Sequence, residues 1–174
     1  MKKIVTLLCL LIISIEVSAK EDSFEKFYTY QSLSIELASK VAHAALYDCR
    51  KKGYSVTVAV VDRGGNLQAL LRDNFAGPHT PETAIRKAWT ANSFRQSTGD
   101  LAEFLQKKRL PNQIQHIPGA LLVGGGVKIE SQGQLLGAIG VSGAPPGKSE
   151  GNSLDGACAK VGIEKIQEDL DFGE

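Results

Sequence analysis

The order of elements along this chain predicts a single α+β domain, an antiparallel five-stranded sheet flanked by helices. Three observations carry that reading. Apolar residues recur at helical spacing in the segments that begin near Ser32, Thr80 and Ser153. Between the first two lie two short runs joined by a tight, glycine-rich turn. Between the last two lie three short apolar runs separated by glycine turns, and links this short leave no room for a crossover, so the neighbouring strands must be antiparallel.

Residues 20–32 are polar and aromatic and read as a leader ahead of the domain at 33–174. The first helix carries Ile35, Ala38, Val41, Ala42, Ala45, Leu46 and Cys49 at helical spacing, with Glu36 in its first turn and Arg50, Lys51 and Lys52 in its last, matching the macrodipole; Gly53 ends it. Val56, Val58 and Val60 then alternate with Thr57, Ala59 and Val61 in a buried strand. Asp62-Arg63-Gly64-Gly65-Asn66 turns the chain, and Leu67 to Arg72 returns. Thr80, Pro81 and Glu82 supply an N-cap, an N1 proline and an early acid for a helix that places Ala84, Ile85, Ala88 and Trp89 on one side and runs to about Arg95. Asp100 with Glu103 resembles a capping box for a shorter helix ending near Lys108, and Pro111 to Pro118 is loop. Leu121–Val123, Val127–Glu130 and Gln134–Ser142 are the three later strands. A closing helix covers Ser153 to Leu170, with Leu154, Ala157, Cys158, Val161 and Ile166 as its apolar positions.

Residues 1–19 have the form of a signal peptide: Lys2 and Lys3, an apolar run from Ile4 to Ile15, and Val17-Ser18-Ala19 where a signal peptidase reads small residues. The expected location is therefore periplasmic or secreted. The run is too short for a lasting membrane anchor. The chain has 20 basic and 19 acidic residues, and loss of Lys2, Lys3 and Glu16 makes the two counts equal. With no basic stripe, nucleic acid is not an expected partner.

Cys49 and Cys158 remain after processing. An even pair in an oxidising compartment invites a disulfide, yet spacing alone cannot bring two Cα atoms within the ~7 Å a bridge needs, and two buried small hydrophobes is the favoured reading. There is no CxxCH for covalent haem and no CxxC with zinc spacing. Gly143 to Ser149 ends in Gly-Lys-Ser, but Ser142 stands where a phosphate loop needs glycine, and Pro145 and Pro146 remove N–H donors. Gly137, Gly140 and Gly143 fall within or beside a strand and read as positions where a helix packs closely over backbone.

No catalytic constellation emerges. The chain has three scattered histidines and no GxSxG, so an enzyme is not the favoured reading. Asp62, Arg72 and Asp73 flank the hairpin, where they could pair with one another or remain solvated turn charges. His43 lies on the flank of the first helix, and His116 sits in a loop. His79 follows Phe75-Ala76-Gly77-Pro78 at a helix entrance, where the positive helix end favours the neutral imidazole that ligates metals. A lone loop histidine is as readily a hydrogen-bonding surface residue, so composition and spacing leave both open.

The run DRGGNLQALLRDNFAGPHTPETAIRKAWTA, with the later LLVGGGVKIESQGQLLGAIGVSGAP and DGACAKVGIEKI, resembles the GlcG/HbpS family of haem-binding proteins from about Leu33 to Leu170. The resemblance implies an antiparallel sheet flanked by helices and a homo-oligomer. It also implies b-type haem, bound in some members, and a related domain fused to a corrinoid adenosyltransferase in others. Lys128 stands where the family often has proline. The Gly77-Pro78-His79-Thr80 segment matches a variant of the family's loop, so His79 becomes the candidate iron ligand, with Thr80 as rival. In the reading that follows, the protein sequesters or senses haem. Phe75, Trp89 and Phe94 contact the porphyrin, and Arg72, Arg86 or Lys87 pair with propionates. The alternative is a periplasmic binder of a small organic acid or corrinoid, or an enzyme without haem, using Asp62, Arg72 and His79.

Overall fold

In the computed structural model, which describes residue 27, residues 29–147 and residues 153–172, two hairpins lie side by side. Strands β1 (Thr57–Asp62) and β2 (Leu67–Arg72) form one, and β3 (Gly126–Ser131) and β4 (Gln134–Ser142) form the other. They join through β1 and β4, antiparallel from Thr57 opposite Ser142 to Asp62 opposite Gly137, giving one sheet of order β2-β1-β4-β3. Every pairing is antiparallel, as the short links require.

The sheet has four strands, not five. Leu121–Val123 is apolar enough for a strand, but its backbone is satisfied by side chains: the Leu121 amide donates to Thr90 Oγ1 (2.9 Å) and the Val123 carbonyl accepts from Thr98 Oγ1 (2.7 Å). With those groups occupied, the segment has no ladder to join.

Helices α1 (Ile35–Lys51) and α4 (Leu154–Glu164) cover one face, with α5 (Gln167–Phe172) beyond them; α2 (Thr80–Phe94) covers the other, followed by α3 (Thr98–Gln106). Strand β1 is buried on both sides. Val58 and Val60 enter the larger core beneath α1 and α4, and Val61 enters a smaller one with Ala88, Ala91 and Ala138 beneath α2. Of Gly137, Gly140 and Gly143, only Gly140 meets the helix expected over them; Gly137 meets the Val61 carbonyl of β1 and Gly143 that of Ser55. A β-carbon on Gly140 would lie 2.1 Å from the Ala84 carbonyl oxygen of α2, and one on Gly126 would lie 2.3 Å from that of Lys87.

On the opposite face the small residues of α1 and Gly162 of α4 let those two helices approach closely. A β-carbon on Gly162 would lie 2.8 Å from the Val41 carbonyl oxygen. At that separation Cys49 and Cys158 reach a Cα–Cα distance of 5.6 Å and are bridged, S–S 2.08 Å. The expectation of two unbridged cysteines is thereby corrected.

Other boundaries shift. The cap of α3 is Ser97, whose Oγ accepts from the Asp100 amide (3.1 Å), while the Asp100 carboxylate accepts from Gln96; Asp100 is therefore no capping box. His79 holds the cap position of α2 without a side-chain cap bond, so Thr80 is the first helical residue rather than the cap. The predicted 111–118 loop contains a 3-10 helix at Asn112–His116. The closing helix breaks at Lys165 and Ile166, which lets both Ile166 and Leu170 turn into the core. The signal-peptide segment, most of the leader, and Lys148 and Ser149 lie outside the described residues. No described helix is long and apolar enough to cross a membrane.

Candidate haem-binding face

The hairpin register decides which β2 side chains face α2. Thr57 pairs with Arg72 and Ala59 with Leu70, on the side α2 covers, whereas Leu71 and Ala69, opposite Val58 and Val60, turn to the larger core. Helix α2 lies over β1, β4 and β3 and barely reaches β2. The α2 side of this edge strand is therefore an open shelf, with Leu67 45% and Leu70 41% exposed.

The loop between β2 and α2 closes one end of that shelf. Its fixed point is buried Asp73, whose amide donates to the Val56 carbonyl (2.9 Å) and whose carboxylate accepts from Arg50 Nε (2.9 Å) and the Phe75 amide (3.4 Å). The hydrogen bond from Arg50, opposed by burial and helped by backbone amides, holds the Asp73 carboxyl below the ordinary carboxylate range. Arg72 donates from its guanidinium to the Ala76 carbonyl. So anchored, the loop presents Phe75 to solvent, 88% exposed, and leaves His79 exposed one step before α2. The imidazole lies close over Gly77, where a β-carbon would come within 2.8 Å of Cε1 and 3.0 Å of Nδ1. Among the described residues its ring nitrogens have no hydrogen-bond partner.

Thr80 is buried. Its hydroxyl donates to the Gly77 carbonyl (2.7 Å) and shares a hydrogen bond with Thr57 Oγ1 (2.7 Å), so it fastens the loop to β1. The other sequence-selected residues lie farther along α2. Arg86 is held by the carbonyls of Ala120 (3.0 Å) and Gly119 (3.4 Å). Lys87, expected at a propionate, is 2% exposed, and its Nζ donates to Asp155 (2.8 Å) and to the Val141 carbonyl (3.0 Å); that buried pair takes it out of the solvent-facing set. Trp89 fills the space against Gly65 and Gly119, both with positive φ. Phe94 ends this 15-residue helix, roughly 22 Å from His79, beyond the reach of a macrocycle held there.

The alternative trio also comes apart. Asp62 locks the hairpin turn, accepting from the Asn66 amide (2.8 Å) and from Gln68 Nε2 (3.1 Å). It sits at the far end of six-residue β2 from Arg72, about 17 Å away, and Asp73 pairs with Arg50. Asp62, Arg72 and Asp73 therefore do not pair with one another. Arg72, Phe75 and His79 do share one end of the shelf. Leu67 and Leu70 were missed: three apart, they fall on opposite faces of a regularly alternating strand, and the register shift opposite Val60 and Val61 brings Leu67 to the Leu70 side.

Over residues 33–164 the chain matches the family model described as Haem degrading protein HbpS-like. It is 34% identical to protein GlcG of Escherichia coli K12 over 110 residues, 63% of this chain and 81% of that protein. A double mutant of HbpS from Streptomyces reticuli superposes with a TM-score of 0.70 at 37% identity, covering 79% of this chain and 89% of the other. The PduOC:haem complex superposes with a TM-score of 0.69 at 27% identity, covering 78% and 95%. With a family-model match over residues 33–164 and these likenesses, the chain belongs to the GlcG/HbpS family.

Proposed function

We propose that this protein binds haem on the open face of β2, with His79 as the protein ligand to iron. The observation that carries this reading is an exposed imidazole, without a hydrogen-bond partner among the described residues, on the same loop as exposed Phe75 and at the end of the strand that exposes Leu67 and Leu70. The residues fit the group: an apolar surface for the ring, a nitrogen donor at its end, and the Arg72 guanidinium, whose other N–H groups remain for a carboxylate. Haem supplies redox and ligand-exchange chemistry when bound; here the chain's residues orient it and cover one side. A homo-oligomer in which a second copy covers the shelf supplies the burial a bound ligand needs. Non-covalent binding is consistent with the absence of a CxxCH motif. Export to an oxidising compartment is supported by the signal-like segment and the Cys49–Cys158 bridge, and sequestering or sensing haem is the role we assign to that binding.

The test is titration of the purified protein with haemin, read in the Soret band. His79→Ala should weaken binding at least about tenfold and change the band, whereas His43→Ala and His116→Ala should not. Saturable binding with an unaltered His79→Ala spectrum would remove His79 as the ligand. No binding above that of a non-specific control protein would end the haem reading.

A further inference from the structure

A second site lies at the other end of α2. Arg63, in the hairpin turn, and Arg95, at the C-cap of α2, come together in a cavity of about 270 Å³, lined also by Tyr30, Glu130, Gln134 and Leu135. We propose that this cavity binds a small organic carboxylate, separately from the His79 face.

Arg63 is fixed in place before any ligand arrives. Its amide donates to Ser32 Oγ (3.1 Å), its carbonyl accepts from Asn92 Nδ2 (3.0 Å), and its guanidinium lies over the Tyr30 ring, 5.6 Å from the centroid. Stacking of this kind occupies the face of the guanidinium and leaves its N–H edge for an acceptor in the plane. Arg95 adopts φ 53°, ψ 35°, a left-handed conformation in which glycine or asparagine is the usual residue. An arginine there lines the same cavity as Arg63 from a backbone position that does not favour it.

Among the described residues, neither guanidinium has a carboxylate partner. Glu130, the acid in the lining, is taken by Lys128 at 2.7 Å. Two arginines without counter-ions favour an anion, and their planar forks match a carboxylate. The volume suits a ligand of a few heavy atoms and is too small for a porphyrin. Buried Asn92 has an Oδ1 with no partner, on the residue that positions Arg63.

Succinate, acetate and inorganic phosphate are the probes, titrated into the full chain and followed by calorimetry and by NMR of the arginine side-chain N–H groups. Succinate is expected to saturate one site and shift two arginine signals. Arg63→Gln and Arg95→Gln should each weaken it about tenfold or more, and His79→Ala and Arg109→Gln should not change it. Arg95→Gly guards against loss of folding, because glycine favours that backbone; it should keep or raise stability while losing succinate. Equal affinity in Arg95→Gly, absence of saturation in the unmutated protein, or phosphate binding more tightly than either carboxylate would overturn the proposal. Failure of the unmutated protein to bind haemin, with succinate binding intact, would reject the haem reading alone.

Discussion

Gly140 of β4 lies directly under Ala84 of α2, so close that a β-carbon on the glycine would fall 2.1 Å from the Ala84 carbonyl oxygen. The obstructing atom is backbone and cannot rotate away. Gly140→Ala must therefore lift α2 from the sheet, and with it the helix start that carries His79. The expected cost is ~3 kcal/mol, at the upper end for overpacking, measured by urea denaturation. Gly133→Ala is the contrast. Its β-carbon would meet nothing within 4 Å, so only the backbone cost of φ +78° should appear, about 1 kcal/mol.

The Cys49–Cys158 bridge closes a loop of 109 residues between two helices that already pack through Ala45 and Gly162. Its main action is on the unfolded chain. The double variant Cys49→Ala, Cys158→Ala should fold but lose about 3–5 kcal/mol, and adding reductant to the denaturation should then change nothing. A reductant effect that survives in the double variant would assign the loss to another cause.

Lys87 and Asp155 form a buried pair whose oxygens and ammonium are also tied to backbone, the Ala144 amide donating to Asp155 Oδ1 at 2.9 Å. Removing one partner strands the other. Lys87→Met and Asp155→Leu should each cost about 3–5 kcal/mol, and the double variant should cost clearly less than their sum. A double-mutant cycle by urea denaturation reads this coupling; strict additivity would mean the pair does not interact.

Acid stability should depend on Asp73. Its folded carboxyl titrates below the ordinary value of 3.8 because Arg50 hydrogen-bonds it, so between those two values the unfolded chain binds the proton and the folded chain does not. Stability from this contact is complete above about pH 4 to 5 and is lost as pH falls through the folded value. Arg50 is more than half exposed, so solvent screens the pair and the effect is modest. Asp73→Asn should flatten the acid limb of a stability–pH curve relative to the unmutated protein while leaving its slope above pH 6 unchanged.

What could be read from sequence was local. Asp62-Arg63-Gly64-Gly65-Asn66 declares a hairpin because the turn is contained within it, and the glycines of β4 declare close packing because no side chain competes. Arg72, Phe75 and His79 share one end of the shelf because one short loop carries them. The misses in the sheet, at the disulfide and at Lys87 depend on distant partners. Whether Cys49 meets Cys158 is decided by how closely α4 can approach α1, and Leu121–Val123 failed to become a strand because Thr90 and Thr98 reached its backbone first. Lys87 looked like a surface charge until its helix face was set against Gly126 and Asp155. Phe94 was grouped with His79 as a porphyrin contact in the reading that followed from the resemblance, although the helix between them holds them apart.

That separation gives the last prediction. If haem lies on the β2 shelf, the side chains that matter are Leu70 and Phe75, both exposed in the isolated chain, so changing them removes little folded-state packing. Leu70→Asp puts a charge under the porphyrin ring and Phe75→Ala removes an aromatic wall; each should weaken haemin binding about tenfold, with unfolding free energy changed by less than roughly 1 kcal/mol. Phe94→Ala, at the far end of α2, should leave haemin affinity and the Soret band unaltered, even though Phe94 is partly buried and its loss should lower stability. Haemin titration beside urea denaturation of the same three variants separates the two effects. Weakened haemin binding in Phe94→Ala, with Leu70→Asp unaffected, would move the ligand off the shelf and toward the hairpin end of the helix.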